Sequence, residues 1–232
     1  MKTLAFEFSS PVRTVAVLSP AAEGGEPAVL GHASDEGGRT VTPLMMVELA
    51  LARAGIEREA VEGLVIGLGP GSYTGVRSAV ALAQGWQLGR PVRILGLGSA
   101  DGLAAAAQSR GWFGRIGVVI DAQRDEFYFS GYEVGQSGWS RTEALRIASK
   151  REIPTLISDY PTMAGPEVTK FFADGQTLFP DAAELGRLAW GRTDFTPAEK
   201  LEPIYLRETK FVKAPPSRIV PGLKLPPWSR VR

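Results

Sequence analysis

The residues of this 232-residue chain with the clearest potential for chemistry form a glycine-rich turn between an apolar segment and a helical one. Gly69, Pro70 and Gly71 allow a sharp reversal, because glycine takes positive φ without strain and proline fixes φ. Ser72 and Thr74 follow and can cap a helix whose first N–H groups have no partner within it. Such converging N–H groups could hold an anion such as a phosphate.

The spacing of these glycines excludes two common phosphate motifs. A Walker A loop needs a lysine after its last glycine, and the residues after Gly71 and Gly75 are serine and valine. A dinucleotide fingerprint needs a glycine where Ser72 or Thr74 stands. The remaining alternatives are an anion site at the helix N-terminus and a tight connection with no ligand.

The amino-acid composition excludes several kinds of functional site. The chain has no cysteine and one histidine, His32, which excludes disulfides, thiolate nucleophiles, cysteine metal sites and zinc sites with paired histidines. A lone histidine on a strand is more typical of the surface or of packing than of catalysis. No apolar run reaches the roughly 18 residues of a membrane span, and Met1 leads directly into a strand. We expect a cytoplasmic protein with no metal, no cofactor and no membrane partner.

Hydrophobic periodicity predicts the elements that position the turn. The turn itself is expected between a strand at 61–68 and a helix from Gly75 to Leu88. Thr42 and Pro43 are expected to start another helix, which ends at Gly55, and Ser99 is expected to cap a third. The segment 155–158 looks like a strand, and the rest of 135–165 has no clear pattern. The other predicted strands cover 3–8, 12–19, 28–33, 91–97, 115–121 and 126–133, and the other predicted helices cover 44–54, 99–109 and 180–192.

The helices at 44–54 and 75–88 carry more apolar surface than one core needs. The small residues Ala79, Ala81, Ala83 and Gly85 allow another backbone to approach closely, and Trp86 is a large anchor. A partner surface is the preferred interpretation, and packing of both helices only within the chain is the alternative. A charged residue at Ala79 or Ala83 is then expected to abolish association while the fold stays intact. The predicted partner-contacting residues are Leu44, Met45, Val47, Glu48, Leu51, Val76, Ala79, Val80, Ala83, Gln84 and Gln87.

The segment GLGPGSYTGVRSAVALAQGWQL resembles the signature of the TsaB (YeaZ) family, the tRNA threonylcarbamoyladenosine biosynthesis proteins. The likeness is long and without gaps. It extends to LAFEFSSPVRTVAVL near the start, VIDAQRDEFYFSGYE in the middle and PIYLRE near residue 205, and so covers roughly residues 2–208.

The resemblance implies an α/β protein with the actin-like ATPase (ASKHA, ribonuclease H-like) fold, two lobes each with a mixed sheet flanked by helices. The implied organisation is an N-terminal lobe at 1–98, a second, degenerate lobe at 99–208 and a tail at 209–232. ATP-using relatives place acidic residues of the two lobes near a metal and phosphates. In this chain Glu7 stands where an aspartate is usual, which weakens the case for Mg-ATP chemistry, and a solvated or paired carboxylate is the alternative. The candidate anion or nucleotide site comprises Glu7, Ser9, Gly69, Gly71, Ser72 and Asp121.

The resemblance also implies a function and partners. The chain is expected to be a non-catalytic subunit of the complex that places threonylcarbamoyl on the adenosine beside the tRNA anticodon. A TsaD-like catalytic paralogue, a TsaE-like ATPase and, through the complex, tRNA are the implied partners, with a homodimer when the paralogue is absent. Two alternatives stay open: an independent ATP-dependent kinase or ATPase of the same superfamily, and a homodimeric scaffold unrelated to tRNA.

The composition changes from Thr209 onward. This tail has five prolines, six basic residues and no acidic one, so the rest of the chain keeps 20 basic and 25 acidic residues, a net charge of −5. Cations on an extended segment can contact phosphates. The alternatives are a tRNA or partner contact and a tail that lies on its own acidic body. The basic residues are Lys210, Lys213, Arg218, Lys224, Arg230 and Arg232.

Overall fold

The chain forms two five-stranded sheets with helices on their faces. The computed structural model describes residues 1–21, 25–37 and 41–207. In chain order the elements are β1 (Thr3–Glu7), β2 (Arg13–Ser19), β3 (Ala28–Asp35), α1 (Pro43–Ala54), β4 (Gly63–Gly67), α2 (Tyr73–Gly89), β5 (Arg93–Leu97), α3 (Ser99–Ser109), β6 (Gly114–Asp121), β7 (Glu126–Gly135), β8 (Gly138–Ser149), α4 (Ile153–Asp159), β9 (Thr162–Gly165), β10 (Gln176–Thr177) and α5 (Ala182–Leu188).

The first sheet has the order β3-β2-β1-β4-β5, with β1 antiparallel to β2 and parallel to β4. Strand β4 is buried along its whole length because α1 and α2 cover one face of the sheet and α5 covers the other. Its nearly continuous apolar run is typical of a strand covered on both faces. This sheet therefore holds the glycine-rich turn on a rigid, fully packed strand.

The second sheet has the order β10-β9-β6-β7-β8. Strands β6, β7 and β8 run antiparallel, and β9 is parallel to β6. Helix α3 packs on one face, and α4 packs on the other with an aromatic cluster around Phe127. Two mixed sheets flanked by helices are the arrangement that the sequence analysis expected.

Local capping rules predicted the ends of the first two helices. The Thr42 hydroxyl accepts a hydrogen bond from the Met45 N–H at 3.2 Å, and Pro43 begins α1. Gly55 ends that helix in the left-handed conformation, at φ 64°. Ser72 caps α2 by accepting from the Gly75 N–H at 3.2 Å. These predictions are confirmed. Each depends only on neighbours within four residues, so the sequence alone can indicate it.

The middle of the chain differs from the prediction. Residues 155–158, predicted as a strand, lie in α4, which follows a capping box of Ser149 and Glu152 and has Pro154 in its first turn. The long strand β8 was missed because most of its residues are exposed or half-buried and show no regular alternation. Helix α5 is shorter than predicted.

Helix α5 packs on the first sheet, although it lies within the predicted second lobe. Its Gly186 presses against the Leu18 side chain of β2, and Leu185 is buried with residues of β1 and β4. The division into lobes at residue 98 stays a prediction, and the tail at 209–232 lies outside the described residues. Within the described ranges, no helix combines the length and apolar character needed to cross a bilayer.

Candidate functional site

Glu7 is enclosed at the end of β1, fully buried, and both of its carboxyl oxygens accept hydrogen bonds. The Ser9 N–H donates to Oε1 at 2.7 Å, and the Ser99 hydroxyl donates to Oε2 at 2.7 Å. The Gly69 N–H in turn donates to the Ser99 hydroxyl oxygen at 3.1 Å. Glu7 is therefore not a solvated carboxylate but the centre of a buried hydrogen-bonded cluster that joins β1, the glycine-rich turn and α3.

Gly67 makes room for this carboxyl, because a Cβ at position 67 would lie closer than 3.0 Å to Oε2 of Glu7. Burial raises the pKa of Glu7, and hydrogen bonds from Ser9 and Ser99 oppose that rise. The prediction that Ser99 caps its helix is wrong: Gly98 stands at the cap position without a side-chain bond, and the Ser99 hydroxyl faces Glu7 instead.

Two N–H groups of the glycine-rich turn form hydrogen bonds within the protein. Gly69 has φ 84°, Gly71 has φ 148°, and the Gly69–Pro70 peptide bond is cis. The Ser72 N–H donates to the Ser9 carbonyl oxygen at 2.6 Å, and the Gly69 N–H is bonded to Ser99. These two donors are occupied inside the protein, which favours the tight connection at Gly69 and Ser72, and the anion site at the start of α2 stays a prediction.

A cleft of about 430 Å³ lies between the two sheets. Ser9, Gly71, Ser72 and Asp121 line it, whereas the predicted site residues Glu7 and Gly69 do not. Its other lining residues are Ser10, Pro11, Tyr73, Ile120, Ala122, Gln123, Tyr128, Glu167 and Tyr205. The structure thus brings together four of the six residues predicted for a nucleotide and leaves the critical carboxylate of β1 outside.

Acidic groups dominate the second-sheet side of this cleft. Asp121 accepts from Lys170 Nζ at 2.6 Å and from the Gln123 N–H at 2.8 Å. Burial raises the pKa of Glu167, and the nearby charge of Asp121 adds to that rise. Across the residues that the structure describes, no three histidine or acidic side chains are grouped to hold a metal ion. Both oxygens of Asp121 are thus occupied within the protein, and Lys170 balances its charge.

A second concavity, the α1–α2 groove, has a volume of about 690 Å³. Large apolar side chains beside it are exposed: Leu44 by 52%, Met45 by 51% and Leu88 by 91%. Small residues of α2 give it depth beside Trp86. The groove is lined by Leu44, Val47, Glu48, Leu51, Ala52, Ile56, Glu57, Arg58, Glu59, Ala81, Leu82, Gly85, Trp86, Gly89 and Arg90.

The predicted partner surface needs correction on α2. On α1, Val47 and Leu51 are buried at the floor of the groove, while Leu44, Met45 and Glu48 are exposed. On α2, the four apolar residues chosen from the sequence face the sheet, because the inward stripe of a helix repeats every three to four residues. These buried residues are Val76, Ala79, Val80 and Ala83.

Two further predicted residues hold the C-terminal segment. The Gln87 side-chain oxygen accepts from the Ala198 N–H at 2.9 Å, and the exposed Gln84 donates to the Ala198 carbonyl at 3.3 Å. A charged residue at Ala79 or Ala83 is now expected to unfold the protein, because both positions are fully buried. The outward stripe of α2 instead contains Leu88 and two of the small residues that the sequence analysis named for close approach, Ala81 and Gly85.

His32 lies far from the cleft and pairs with Asp181. Its Nε2 is 2.9 Å from Asp181 Oδ2, and Asp181 also caps α5 by accepting from the Ala183 N–H at 2.8 Å. The hydrogen bond to Asp181 raises the pKa of His32 above 6.5. Burial opposes ionisation of Asp181, but hydrogen bonds from His32 and from the start of α5 outweigh it and lower the pKa of Asp181.

This pair predicts a pH dependence of stability. Because the folded-state pKa of His32 is raised, its contribution is fully present below about pH 6.5 and is lost as pH rises through the folded-state pKa. The ring is partly exposed, so the loss is expected to be below about 1 kcal/mol. Urea unfolding at pH 6 and pH 8.5 measures it, and in His32→Gln the difference between the two pH values should shrink. Identical pH dependence in both proteins would contradict this account.

Known proteins are similar to this chain in sequence and in fold. The family model described as "TsaD: tRNA N6-adenosine threonylcarbamoyltransferase" matches residues 40–192. The tRNA threonylcarbamoyladenosine biosynthesis protein TsaB of Escherichia coli (strain K12) is 29% identical over 194 residues, which are 75% of this chain and 83% of that protein. TsaB of Haemophilus influenzae is 34% identical over 101 residues, 43% of each chain.

The solved structure of YeaZ from Pseudomonas aeruginosa matches with a TM-score of 0.74 at 26% identity, over 88% of this chain and 99% of that one. Together with the two mixed sheets flanked by helices, this match shows that the chain has the actin-like, two-lobe fold. On this sequence and structural similarity, the chain belongs to the TsaB (YeaZ) family of tRNA threonylcarbamoyladenosine biosynthesis proteins.

Proposed function

We propose that the chain is a non-catalytic subunit of the assembly that places threonylcarbamoyl on the adenosine beside the tRNA anticodon. It acts by docking a TsaD-like catalytic paralogue on the α1–α2 groove, and a TsaE-like ATPase and tRNA join through the complex. The names of the relatives support the pathway. The observation that carries the docking role is the exposed apolar surface of the groove.

The size of this surface suits a protein partner. Helices of 12 and 17 residues are about 18 and 26 Å long. Side by side they can present a patch near the ~800 Å² per partner of a specific interface. Monomeric proteins seldom leave large contiguous apolar patches open to water. A second copy of the chain is expected to cover the groove when the paralogue is absent.

The geometry gives less support to an independent kinase or ATPase. That function needs Glu7, Asp121 and the turn from Gly69 to Ser72 to converge on a magnesium nucleotide. The oxygens of Glu7 instead accept hydrogen bonds from Ser9 and from Ser99 at the start of α3, and Asp121 is paired with Lys170. Calorimetry of the isolated chain with Mg-ATP tests this alternative, and micromolar binding would favour it over the scaffold.

Charged substitutions in the groove test the docking role. Met45→Glu and Ala81→Glu change exposed positions, so the fold should stay intact while association with the paralogue weakens by at least about 30-fold, as for an interface residue worth ~2 kcal/mol. Sedimentation of the mixed subunits measures the association, with circular dichroism as the check on folding. Ile157→Glu on α4 is the matched control, since Ile157 is equally exposed on the other lobe. Unchanged sedimentation of the groove variants would refute the proposal.

A modification assay tests the scaffold role itself. The paralogue, the ATPase and unmodified tRNA are incubated with the wild-type chain, with each groove variant or with no added chain. We expect modification only with the wild-type chain and the α4 control. Full modification without the chain would show that its scaffold role is unnecessary, even if the subunits associate.

A further inference from the structure

All of the sulfur in this chain belongs to methionine. The sequence has four methionines and no cysteine, and the structure describes the position of each methionine. Because the chain has no cysteine thiolate, which is the nucleophilic form of sulfur in proteins, an oxidant meets only thioethers. The exposure of each methionine side chain therefore decides which of the four reacts.

Met45 is the most accessible of these methionines. It is 51% exposed, whereas Met46 is 1% exposed and Met163 is 5% exposed. Met46 belongs to the core beside the first sheet, and Met163 belongs to the aromatic cluster beside the second. Met1 is half-buried, with its sulfur close to Gly63. An oxidant dissolved in water reaches the Met45 sulfur directly, while burial shields the sulfurs of Met46 and Met163.

Met45 stands in the first turn of α1 within an exposed apolar surface. Its N–H donates to the Thr42 hydroxyl at 3.2 Å, which fixes the backbone at this position. Leu44 beside it is exposed and lines the α1–α2 groove. Leu49 is exposed as well, and residues four apart on a helix are neighbours on its surface. The Met45 thioether thus adjoins the groove and extends its apolar surface.

Hydrogen peroxide converts a thioether into a sulfoxide in a balanced step. The sulfur attacks one peroxide oxygen, the O–O bond breaks, and proton transfer to the departing oxygen releases water. Sulfur loses two electrons, and the peroxide gains them. The reverse change needs a dithiol, which becomes a disulfide while the sulfoxide oxygen leaves as water. Two methionine sulfoxide reductases catalyse this reduction, one for each sulfoxide epimer.

Oxidation changes what this surface offers to a partner protein. A thioether is apolar and flexible, and it packs against apolar side chains of varied shape. A sulfoxide is polar, and its oxygen loses hydrogen bonds to water when a partner covers it. An unsatisfied acceptor of this kind is expected to weaken association about tenfold. A single oxygen atom at Met45 therefore suffices to disfavour docking.

We propose that Met45 is a reversible oxidation site through which hydrogen peroxide regulates docking on the α1–α2 groove. Oxidation of the free subunit lowers its affinity for the paralogue, and enzymatic reduction of the sulfoxide restores that affinity. This inference rests on the proposed function, because it concerns the regulation of the docking surface.

Peptide mapping of the full chain tests the selectivity of the site. The chain is treated with hydrogen peroxide for increasing times, the peroxide is removed with catalase, and tryptic peptides are analysed by mass spectrometry. Fragment ions of the peptide that contains both Met45 and Met46 assign the added oxygen. Met45 should be oxidised at least about tenfold faster than Met46 and Met163, since oxidation follows exposure. Equal rates at these three residues would overturn the proposal.

Sedimentation with the paralogue tests the consequence of oxidation. Only this chain is treated with peroxide, so the sulfur groups of the paralogue stay reduced. Oxidised wild type should bind about tenfold more weakly, and treatment with both reductases should restore its affinity. Met45→Leu keeps the other three methionines. Whatever its own affinity, the affinity of Met45→Leu should be the same before and after peroxide, and circular dichroism checks that each treated protein stays folded.

The failure of this proposal can be distinguished from failure of the docking role. If wild type with Met45 oxidised binds like the untreated chain, while Met45→Glu and Ala81→Glu still lose association, the oxidation site is overturned and the docking role stands. If peroxide weakens Met45→Leu as strongly as the wild type, another residue is responsible and the site is also overturned. If the untreated groove variants bind like the wild type, the docking role fails, and the regulation proposed for it fails too.

Discussion

Replacing Gly75 with alanine is expected to destabilise the protein by about 2–3 kcal/mol, although alanine favours helices over glycine. A Cβ at position 75 would lie closer than 3.0 Å to the carbonyl oxygen of Phe8, a backbone atom that cannot rotate away. The first turn of α2 or the connection after β1 would have to move. Forced overpacking of this kind costs more than the ~1 kcal/mol that alanine gains in helix propensity.

Gly85 provides the matched control in the same helix. It is exposed, and a Cβ added there would have no heavy atom within 4 Å. Gly85→Ala should therefore stabilise the protein by about 0.5–1 kcal/mol through helix propensity alone. Urea unfolding of the two variants measures the contrast. Similar stabilities would show that α2 does not press on the residues after β1 as the structure has it.

This close approach matters for function because it sets where α2 lies. Because Gly75 has no side chain, the start of α2 can pack against the backbone that follows β1. Gly67 leaves room for the buried carboxyl of Glu7. The same helix then presents Tyr73 at the mouth of the cleft and Ala81 in the α1–α2 groove. Two glycines at one junction thus position the helix that forms one side of the α1–α2 groove.

The parts of the fold that depend on near neighbours could be predicted from the sequence. The strand before the glycine-rich turn, the cap at Ser72, the start of α1 at Pro43 and its end at Gly55 follow from local rules. Strand β8 and helix α4 could not be predicted, because β8 mixes exposed and half-buried residues without regular alternation and the short apolar run at 155–158 suits either element. Tertiary contacts decide such segments.

The candidate site could be predicted less well, for physical reasons that differ between its parts. Alanine and glycine occur on both faces of α2, so composition could not show that Ala79 faces the sheet while Ala81 faces solvent. The partner of Glu7 is Ser99, 92 residues away in the chain, and Ser99 looked like an ordinary helix cap. Each residue type was compatible with both roles, and only the packing of the two lobes distinguishes them.

Removal of the Ser99 hydroxyl should have the second large effect on stability. Ser99→Ala leaves Oε2 of Glu7 without a donor and the Gly69 N–H without an acceptor, and all of these groups are buried. Each unsatisfied buried group costs about 1–3 kcal/mol, and a charged one costs more, so we expect a loss of about 2–5 kcal/mol at neutral pH. Ser78→Ala on α2 removes only a hydroxyl bond to the Thr74 carbonyl near the surface and should cost less than about 0.5 kcal/mol.

The pH dependence of this loss identifies Glu7 as its source. Burial already raises the folded-state pKa of Glu7 above 4.5, and loss of the Ser99 donor should raise it further. A group with a raised folded-state pKa contributes stability that is fully present below its unfolded pKa and is lost as pH rises through the folded pKa. The difference between Ser99→Ala and the wild type should therefore be smallest near pH 4.5 and grow as pH rises. If Glu7 instead turned outward to hold a metal in the cleft, the Ser99 hydroxyl would have no charged partner, and Ser99→Ala would show neither the large loss nor its pH dependence.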